Sequence, residues 1–508
     1  MNIKKINLRN YAQLSSKLFN YLNHLKYGQS EVYRTPFWNK VAMPYIVKEW
    51  MKIVMNAHLD TIMPGLEAIE VEQSRKVGPY SVIPPSAERM EHLAEYWEPV
   101  EGSPIAHEAV NLVKQLFNGE LALYTRQQTL AEMRLNTSAG LPYYMKRQEA
   151  VVIYEHTNWE DFYPYMAIWG TRVQPGGPRV SDEKVRDVFM MPLSLNVKEG
   201  AYYYPLLKYE QEHNLPFAIN DLRWTEKRVT GLFDSKPSDQ LVIATDFKGF
   251  DQTFRRPLQD ASAEILEAAF QDVCWSTIQE TYYDKYRIPL LVSEDQAIFG
   301  EHGMGSGSTG TNPDENLAHK SLQYEAAIEA DEELLNDSLT LGDDGILSFK
   351  GITVDAVIKT YTKHGLVMNE AKQYASREST KFLQRFYHVS YRDKEGIMLG
   401  VYPTFRALGR LLAQERFHNP KFWGPEQVTL RALSILENCN NHPLFEQFIE
   451  FVLKGDKYQL GLKIPEFFSN LEANWELYKA QHQLESYTQR LESTSILDWK
   501  VVQYLLAK

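Results

Sequence analysis

Two stretches decide the fold: QLVIATDFKGFD at 240–251 and SLTLGDDGILSF at 338–349. In the first, the apolar run LVIAT predicts a buried strand that ends at Asp246. In the second, two apolar runs flank a Gly-Asp-Asp turn, which is typical of a β-hairpin with Asp343 and Asp344 at its tip. Aspartates at the ends of neighbouring strands can bind the same cations. Together the stretches predict one acidic site.

The Gly-Asp-Asp turn alone is a weak indication, since glycine and aspartate are common in turns. Asp246 at the end of a second strand strengthens it. Magnesium prefers oxygen ligands and keeps waters and substrate phosphates around it, so a few carboxylates can place it. Two such ions would stabilise both oxygens of an in-line displacement, as nucleotidyl transfer requires. We expect Mg²⁺ or Mn²⁺ bound by Asp246 and Asp343, with Asp344 assisting because its side chain could face away from the metals.

Asp251 follows Asp246 by five residues, just beyond the predicted strand. A carboxylate there can accept a hydrogen bond from a ribose 2′-hydroxyl. We therefore expect a preference for ribonucleotides. The alternative is an acidic residue that merely stabilises the N-terminus of a helix.

The segment 303–330, GMGSGSTGTNPDENLAHKSLQYEAAIEA, predicts a glycine-rich loop that leads into a helix. We place Asn312 at the N-cap, Pro313 at the first helical position and Glu315 in a capping box. GSGSTG at 305–310 also matches the dinucleotide-binding pattern GxGxxG, so a dinucleotide-dependent oxidoreductase is an outside alternative. That pattern needs a strand leading directly into its first glycine, and no clear βαβ unit follows here.

The amino-acid composition limits the class of protein and the kinds of site that this chain can form. The 508 residues are 44% hydrophobic and 24% charged, as expected for a folded chain of several subdomains. Two cysteines exclude a disulfide framework and a multi-thiolate zinc site. We find neither a signal peptide nor an 18-residue apolar run, so we expect a soluble intracellular protein without a membrane partner.

The net charge of −12 speaks against an open nucleic-acid-binding face. A chain that encloses RNA, however, needs only a locally basic channel. Positive residues recur among Gly, Pro and Tyr at 134–210, including Arg179, Lys184 and Arg186. This region is the best candidate for contacts with phosphates. A solvated surface is the alternative, because acidic residues are interspersed.

In their order along the chain, these segments resemble the motifs of viral RNA-dependent RNA polymerases. ATDFKGFD resembles motif A, SGSTGT motif B, GDD motif C, HGLVMNEAK motif D and KFLQRFY motif E, while upstream TSAGLPY resembles motif G and PRVSDEKVR motif F. The resemblance covers about 135 to 390. It is greatest to picobirnaviruses and, more distantly, to partitiviruses of the double-stranded RNA class.

The resemblance implies an α+β, mainly helical chain with a right-hand polymerase fold: fingers, a palm with an antiparallel sheet and helices, and a helical thumb. The implied regions are an N-terminal region bridging fingers and thumb (1–85), fingers with motifs G and F (86–240), palm with motif A (241–262), a fingers insertion (263–302), palm with motifs B, C, D and E (303–400), and a helical thumb with the C-terminal region (401–508).

The resemblance also assigns site residues. Lys372 becomes the candidate acid that protonates pyrophosphate. The implied nucleotide-binding residues are Lys184, Arg186 and Arg179 at the triphosphate and Asp251, Ser306, Gly307, Thr311 and Asn316 around the ribose. One position departs from the motif, since Glu315 stands where the family frequently has asparagine. Either Asn316 or Asn312 could approach the ribose instead.

The implied function is template-directed RNA synthesis from ribonucleoside triphosphates, which would replicate and transcribe a viral, double-stranded RNA genome. RNA would be template and product, viral capsid protein a further partner, and the virion interior and host cytoplasm the locations. Two alternatives remain: a reverse transcriptase, which shares the palm carboxylates, and a nonenzymatic RNA-binding or capsid-associated protein with a degenerate polymerase fold.

Overall fold

The computed structural model describes residues 1–508 except 80, 158–164, 183 and 482–494. Parts of two predictions therefore lie outside the described residues: residue 183 of the motif F segment, and 482–494 of the helical C-terminal region. The strands are β1 (Asn2–Lys5), β2 (Ala167–Gln174), β3 (Lys184–Met190), β4 (Val242–Thr245), β5 (Leu290–Leu291), β6 (Gln296–Phe299), β7 (Leu339–Leu341), β8 (Asp344–Leu347), β9 (Tyr374–Ser376), β10 (Ser379–Phe382) and β11 (Arg385–His388).

Helices account for most of the remaining regular structure. They are α1 (Ser16–Tyr27), α2 (Met43–Asn56), α3 (Leu66–Ser74), α4 (Ser86–Ala94), α5 (His107–Lys114), α6 (Arg126–Glu132), α7 (Arg147–Glu155), α8 (Leu193–Glu212), α9 (Leu222–Ser235), α10 (Phe250–Thr253), α11 (Arg256–Ala269), α12 (Trp275–Tyr282), α13 (Thr311–Glu329), α14 (Val354–Thr362), α15 (Thr404–Leu412), α16 (Pro425–Glu437), α17 (Phe445–Gly455), α18 (Leu471–Gln481) and α19 (Lys500–Leu506).

The sheet that carries the acidic residues has four antiparallel strands in the order β7-β8-β4-β9. All four side chains of β4 are buried, as its apolar sequence predicts. β7 and β8 form the predicted hairpin, with Leu341 opposite Asp344. Helices α11 and α13 contribute to the apolar core that includes Ile243 and Leu347. The prediction of a mainly helical α+β chain with an antiparallel palm sheet is confirmed.

A second sheet has the order β1-β6-β5-β2-β3, in which β2 and β5 are parallel and the other pairs antiparallel. Its core includes Trp169, Phe189 and Leu290. β6 belongs to this sheet, whereas β7 belongs to the other. The helix between them, α13, therefore connects two sheets and forms no βαβ unit, which removes the structural basis of the dinucleotide alternative.

The N-terminal residues contact two distant parts of the chain. β1 pairs with β6. Further along, Trp50 donates from Nε1 to Thr404 Oγ1 at 2.8 Å. The Glu70 carboxylate accepts from Thr404 N at 2.6 Å and from Phe405 N at 3.1 Å, at the start of α15. The role of 1–85 as a bridge, like the other region boundaries, stays a prediction.

One local prediction differs from the structure. The capping box at the start of α13 is wrong: the N-cap is Gly310, which has no side chain, and the helix already includes Asn312. Glu315 is buried and contacts the acidic site instead of the helix end, so a tertiary contact overrides the local pattern.

Among the described residues, no helix combines the length and the apolar run that a bilayer crossing requires.

Candidate active site

The strand pairing brings the three candidate metal ligands to one end of the palm sheet. Asp246 directly follows β4, and Asp344 is the first residue of β8. Since Thr245 pairs with Gly345, the two acids emerge side by side. Gly342 has a φ of +61°, a conformation that glycine adopts without steric cost and that the tight hairpin requires.

Burial and neighbouring charges both act on these acids. Burial raises the pKa of Asp344 to about 7, and the negative charge of Asp343 adds to this effect. Burial also raises the pKa of Asp246, although the Lys372 ammonium opposes the rise. Crowded like charges disfavour full ionisation, and a bound cation would relieve that repulsion.

Helix α13 contacts the Gly-Asp-Asp turn through two side chains. Gly342 N donates to Asn316 Oδ1 at 2.8 Å, and the His319 Nδ1 lies 2.9 Å from Gly342 O. Burial lowers the pKa of His319 to about 4, so the ring is neutral at pH 7 and donates from Nδ1. Both backbone polar groups of Gly342 are thereby satisfied from one helix. We refer to Asn316 and His319 as the turn clamp.

The backbone of Asp246 forms hydrogen bonds with Gln373 and Asn369. Gln373 Nε2 donates to Asp246 O at 2.6 Å, and Asp246 N donates to Gln373 Oε1 at 3.2 Å. Asn369 N also donates to Asp246 O, at 3.0 Å. Because a primary amide can both donate and accept, Gln373 can pair with both groups of one residue.

Sequence reasoning missed Gln373 and His319 as positioning residues. Gln373 directly follows Lys372, and His319 lies one helical turn after Asn316, at a spacing that puts both on one face. The spacing of Asn316 and His319 was the only feature of the sequence that could have indicated a positioning role.

The predicted ribose-sensing residues Asp251 and Ser306 are brought together. Asp251 lies in the one-turn helix α10, and its backbone O accepts from Met304 N at 2.7 Å. Burial raises the pKa of its carboxyl group, and the Glu315 and Ser306 side chains oppose the rise. Burial is the largest cause of its raised pKa, with a further contribution from Asp343. Asp251 also lies in the first turn of α10, as the helix-terminus alternative expects, so its contact with a ribose stays a prediction.

The remaining motif B residues shape the loop. Phe189 N donates to Ser306 O at 2.7 Å, which docks the loop on β3. Gly307 has a φ of +120°, and a Cβ there would lie 2.2 Å from Phe189 O, so only glycine fits. Thr311 Oγ1 donates to Ser308 O at 3.1 Å. The Asn316 amide oxygen is engaged in the turn clamp, and a direct ribose contact by Asn316 stays a prediction.

The motif F cations lie on β3 of the second sheet and act on the acids through their charge. Lys184 and Arg186 are exposed on β3. The Arg186 charge lowers the pKa of both Asp344 and Asp251. Burial lowers the pKa of Lys184, and the positive charge of Lys372 lowers it further. Arg179 differs, since it is exposed and pairs with Asp182 at 3.1 Å.

Comparison with known proteins decides the family. The model of the family described as viral RNA-dependent RNA polymerase matches residues 107–396, which include every candidate site residue. The chain belongs to the viral RNA-dependent RNA polymerases. This polymerase is 38% identical over 517 residues to the potential RNA-dependent RNA polymerase of Human picobirnavirus (strain Human/Thailand/Hy005102/-), covering 96% of each chain. It is 24% identical to the RNA-directed RNA polymerase of Cryptosporidium parvum virus 1 (strain KSU-1), covering 81% of each.

The crystal structure of a human picobirnavirus RNA-dependent RNA polymerase superposes with a TM-score of 0.90 at 36% identity, covering 99% of this polymerase and 100% of that chain. An insertion loop deletion mutant of a human picobirnavirus enzyme gives the same TM-score at 35% identity. The predicted resemblance to picobirnavirus polymerases and the right-hand polymerase fold are thereby confirmed.

The donor set of this polymerase fits magnesium. Asp246, Asp343 and Asp344 offer only carboxylate oxygens, the ligands that a hard cation prefers. In the part of the chain that the structure describes, no three His, Cys, Asp or Glu side chains form a ready-made metal cage. Magnesium does not require one, because water and substrate phosphates complete its shell.

Proposed function

We propose that this polymerase joins ribonucleoside triphosphates on an RNA template by two-metal-ion nucleotidyl transfer, and thereby replicates and transcribes a viral double-stranded RNA genome. The observation that carries the proposal is the convergence of Asp246, Asp343 and Asp344 at one end of the palm sheet. The turn clamp and Gln373 support it, because they hold the backbone that carries these acids.

Asp246 and Asp343 would hold the ions, with Asp344 assisting. When bound, two magnesium ions would lower the pKa of the primer 3′-hydroxyl and neutralise charge on pyrophosphate. Lys184 and Arg186 would bind the triphosphate through charge-assisted hydrogen bonds. Lys372, whose charge reaches Asp246, would give a proton to the pyrophosphate leaving group. Arg179 would contribute to triphosphate binding only after leaving Asp182.

Asp251 would accept a hydrogen bond from the ribose 2′-hydroxyl, with the Ser306 hydroxyl beside it. Gly307 would let the backbone come close to the nucleotide, and Thr311 and Asn316 would complete the ribose pocket. A deoxyribonucleotide would leave the Asp251 carboxylate without this partner, which favours RNA over DNA synthesis. The proposal therefore sets a ribonucleotide polymerase against the reverse transcriptase alternative.

The incorporation assay tests the proposal. Purified protein with a single-stranded RNA template, four ribonucleotides and Mg²⁺ should make complementary RNA. Asp343→Ala should make none, whereas Asp355→Ala, at an exposed position on α14, should keep activity. Chelation should stop synthesis, and Mg²⁺ or Mn²⁺ should restore it. Equal activity of Asp343→Ala would contradict the mechanism.

Two further measurements test the alternative functions. Deoxynucleotide incorporation in preference to ribonucleotides would support a reverse transcriptase. Template binding without any incorporation, with either Mg²⁺ or Mn²⁺, would support a nonenzymatic RNA-binding protein.

The proposed partners and locations follow from the same role. RNA would be template and product, and viral capsid protein would place the enzyme in the virion interior, with synthesis also in the host cytoplasm. Particles formed by coexpression with the viral capsid protein should contain the polymerase. Particles that exclude it would contradict this part of the proposal.

A further inference from the structure

Helix α4 carries a histidine that contacts both the motif F strand and the palm. The His92 side chain is half-exposed, and its Nδ1 lies 2.7 Å from Asp187 Oδ2 on β3. On the other side of the ring, Gln252 Nε2 lies 3.3 Å from His92 Nε2. Gln252 belongs to α10, which begins within motif A. His92 therefore lies between motif F and motif A, and the mechanism above gives it no role.

Asp187 is a buried carboxylate whose partners come from neighbouring elements. It is 4% exposed. Its Oδ1 accepts from Trp169 Nε1 at 2.7 Å, and the Arg89 guanidinium lies 3.7 Å from the same oxygen. A carboxylate can only accept, so His92 Nδ1 is the donor to Oδ2. His92 thus completes the hydrogen bonds of a buried charge, which is costly to leave unpaired.

Asp187 directly follows Arg186 on β3. Successive side chains of a strand point to opposite faces. The burial of β3 follows this rule, since Lys184 and Arg186 are exposed and Asp187 is buried. The partner strand is held by the same helix, because Arg89 donates to Thr171 Oγ1 on β2 at 2.8 Å. The contacts of Asp187 with α4 therefore set the direction in which Arg186 points.

We propose that His92 is a positioning residue for triphosphate binding, which donates to Asp187 and thereby fixes Arg186 relative to the palm. The inference rests on the proposed function, in which Arg186 binds the triphosphate. The contact of Gln252 with the ring supports it, because this contact joins His92 to the motif A helix.

The physical basis is preorganisation. A strand that is held in place presents its cation in one orientation, so less conformational freedom is lost when the phosphate binds. Without the His92 donor, Asp187 keeps Trp169 and Arg89, so the strand stays folded but is held less firmly. Binding of the triphosphate by Arg186 would then have to restrict the strand as well.

The test measures KM and kcat for ribonucleoside triphosphates on one single-stranded RNA template. His92→Ala removes the donor and should raise KM by about tenfold or more, while kcat stays within about threefold of wild type, because ground-state and transition-state binding are lost equally. His92→Asn keeps an N–H donor near the position of Nδ1 and should bring KM back to within about threefold of wild type. Asparagine would not reverse a general loss of packing.

His107→Ala is the matched control. His107 is also an exposed histidine with Nδ1 near a carboxylate, at 3.7 Å from Glu264. It lies on α5, and its acidic partner lies on α11 instead of β3. Its KM should therefore stay at the wild-type value.

A double-variant cycle separates action through Arg186 from damage elsewhere. In an Arg186→Ala background, His92→Ala should raise KM by less than about twofold further, because the residue through which it acts is absent. Should His92→Ala fail to fold, His92→Leu is measured in its place. A wild-type KM in the folded alanine or leucine variant would overturn the proposal. So would an unrestored KM in His92→Asn, or an undiminished increase in the Arg186→Ala background. Wild-type enzyme that joins no ribonucleotide would instead contradict the proposed function.

Discussion

At the scale of single residues, the three aspartates have different surroundings. The Lys372 ammonium lies near Asp246, whereas the positive charges of Arg186 and Arg406 act on Asp344. Cations thus compensate both acids, but burial raises the pKa of Asp344 to about 7, which favours its neutral form and makes it the weaker metal ligand. We therefore propose that Asp246 and Asp343 form the principal metal-binding pair and that Asp344 adjusts the local field.

This ranking of the three aspartates predicts that their substitutions lower kcat by different amounts. Asp246→Asn and Asp343→Asn should each lower kcat by more than roughly 10³-fold, because each removes a charge that stabilises the transition state through the metals. Asp344→Asn should cost only about 10- to 100-fold, as expected for a supporting group. Single-turnover incorporation with saturating Mg²⁺ measures all three. An Asp344→Asn loss as large as that of Asp343→Asn would reverse the ranking.

At the scale of elements, helix α13 serves both halves of the site. Its first turns carry Glu315 toward Asp251, and the turn clamp holds Gly342. The clamp also explains the close contact at Gly345, where a Cβ would lie 2.5 Å from the His319 ring. One rigid helix thus fixes the relative positions of motifs A and C.

Removing half of the clamp should loosen the turn. Asn316→Ala leaves the buried Gly342 N–H unpaired, which costs about 1–3 kcal/mol. We expect kcat to fall by about 10- to 100-fold and the Mg²⁺ concentration for half-maximal activity to rise. Ser321→Ala is the control, since that hydroxyl donates only to Leu317 O of its own helix. Unchanged kcat and Mg²⁺ dependence in a folded Asn316→Ala enzyme would show that the clamp does not position the metal ligands.

At the scale of the whole molecule, one buried acid links stability to pH. Glu210 on α8 is fully buried, and neither carboxyl oxygen has a hydrogen-bond partner among the described residues. Burial raises its pKa from 4.5 to about 8. Between these values the folded chain keeps the proton and the unfolded chain releases it. The unfolding free energy therefore falls as pH rises from about 4.5 to 8, and levels above that.

Replacing Glu210 should weaken the dependence of the unfolding free energy on pH. Glu210→Gln is always neutral, so its unfolding free energy should match wild type near pH 5 and exceed it near pH 8.5, by up to roughly 4 kcal/mol. Thermal midpoints at the two pH values measure the difference. Glu212→Gln, exposed on the same helix, should change neither midpoint. A Glu210→Gln midpoint equal to wild type at pH 8.5 would contradict the prediction.

The amino-acid sequence by itself determined the local elements and the chemistry they carry. Apolar runs and turn residues predicted β4 and the β7–β8 hairpin, because these patterns report on a few neighbouring residues. Asp246 and Asp343 followed from their places at strand ends. The order of the motifs then implied the family, which the comparisons show.

Only the tertiary structure decided which distant residues meet. β1 pairs with β6 across most of the chain, and Gln373 holds Asp246. Glu315 fits a local capping pattern, yet the helix begins at Thr311 with Gly310 as its N-cap, and the packing of the chain buries Glu315. A local pattern carries no information about such partners, since through-space contacts between packed elements depend on the packing of the whole chain.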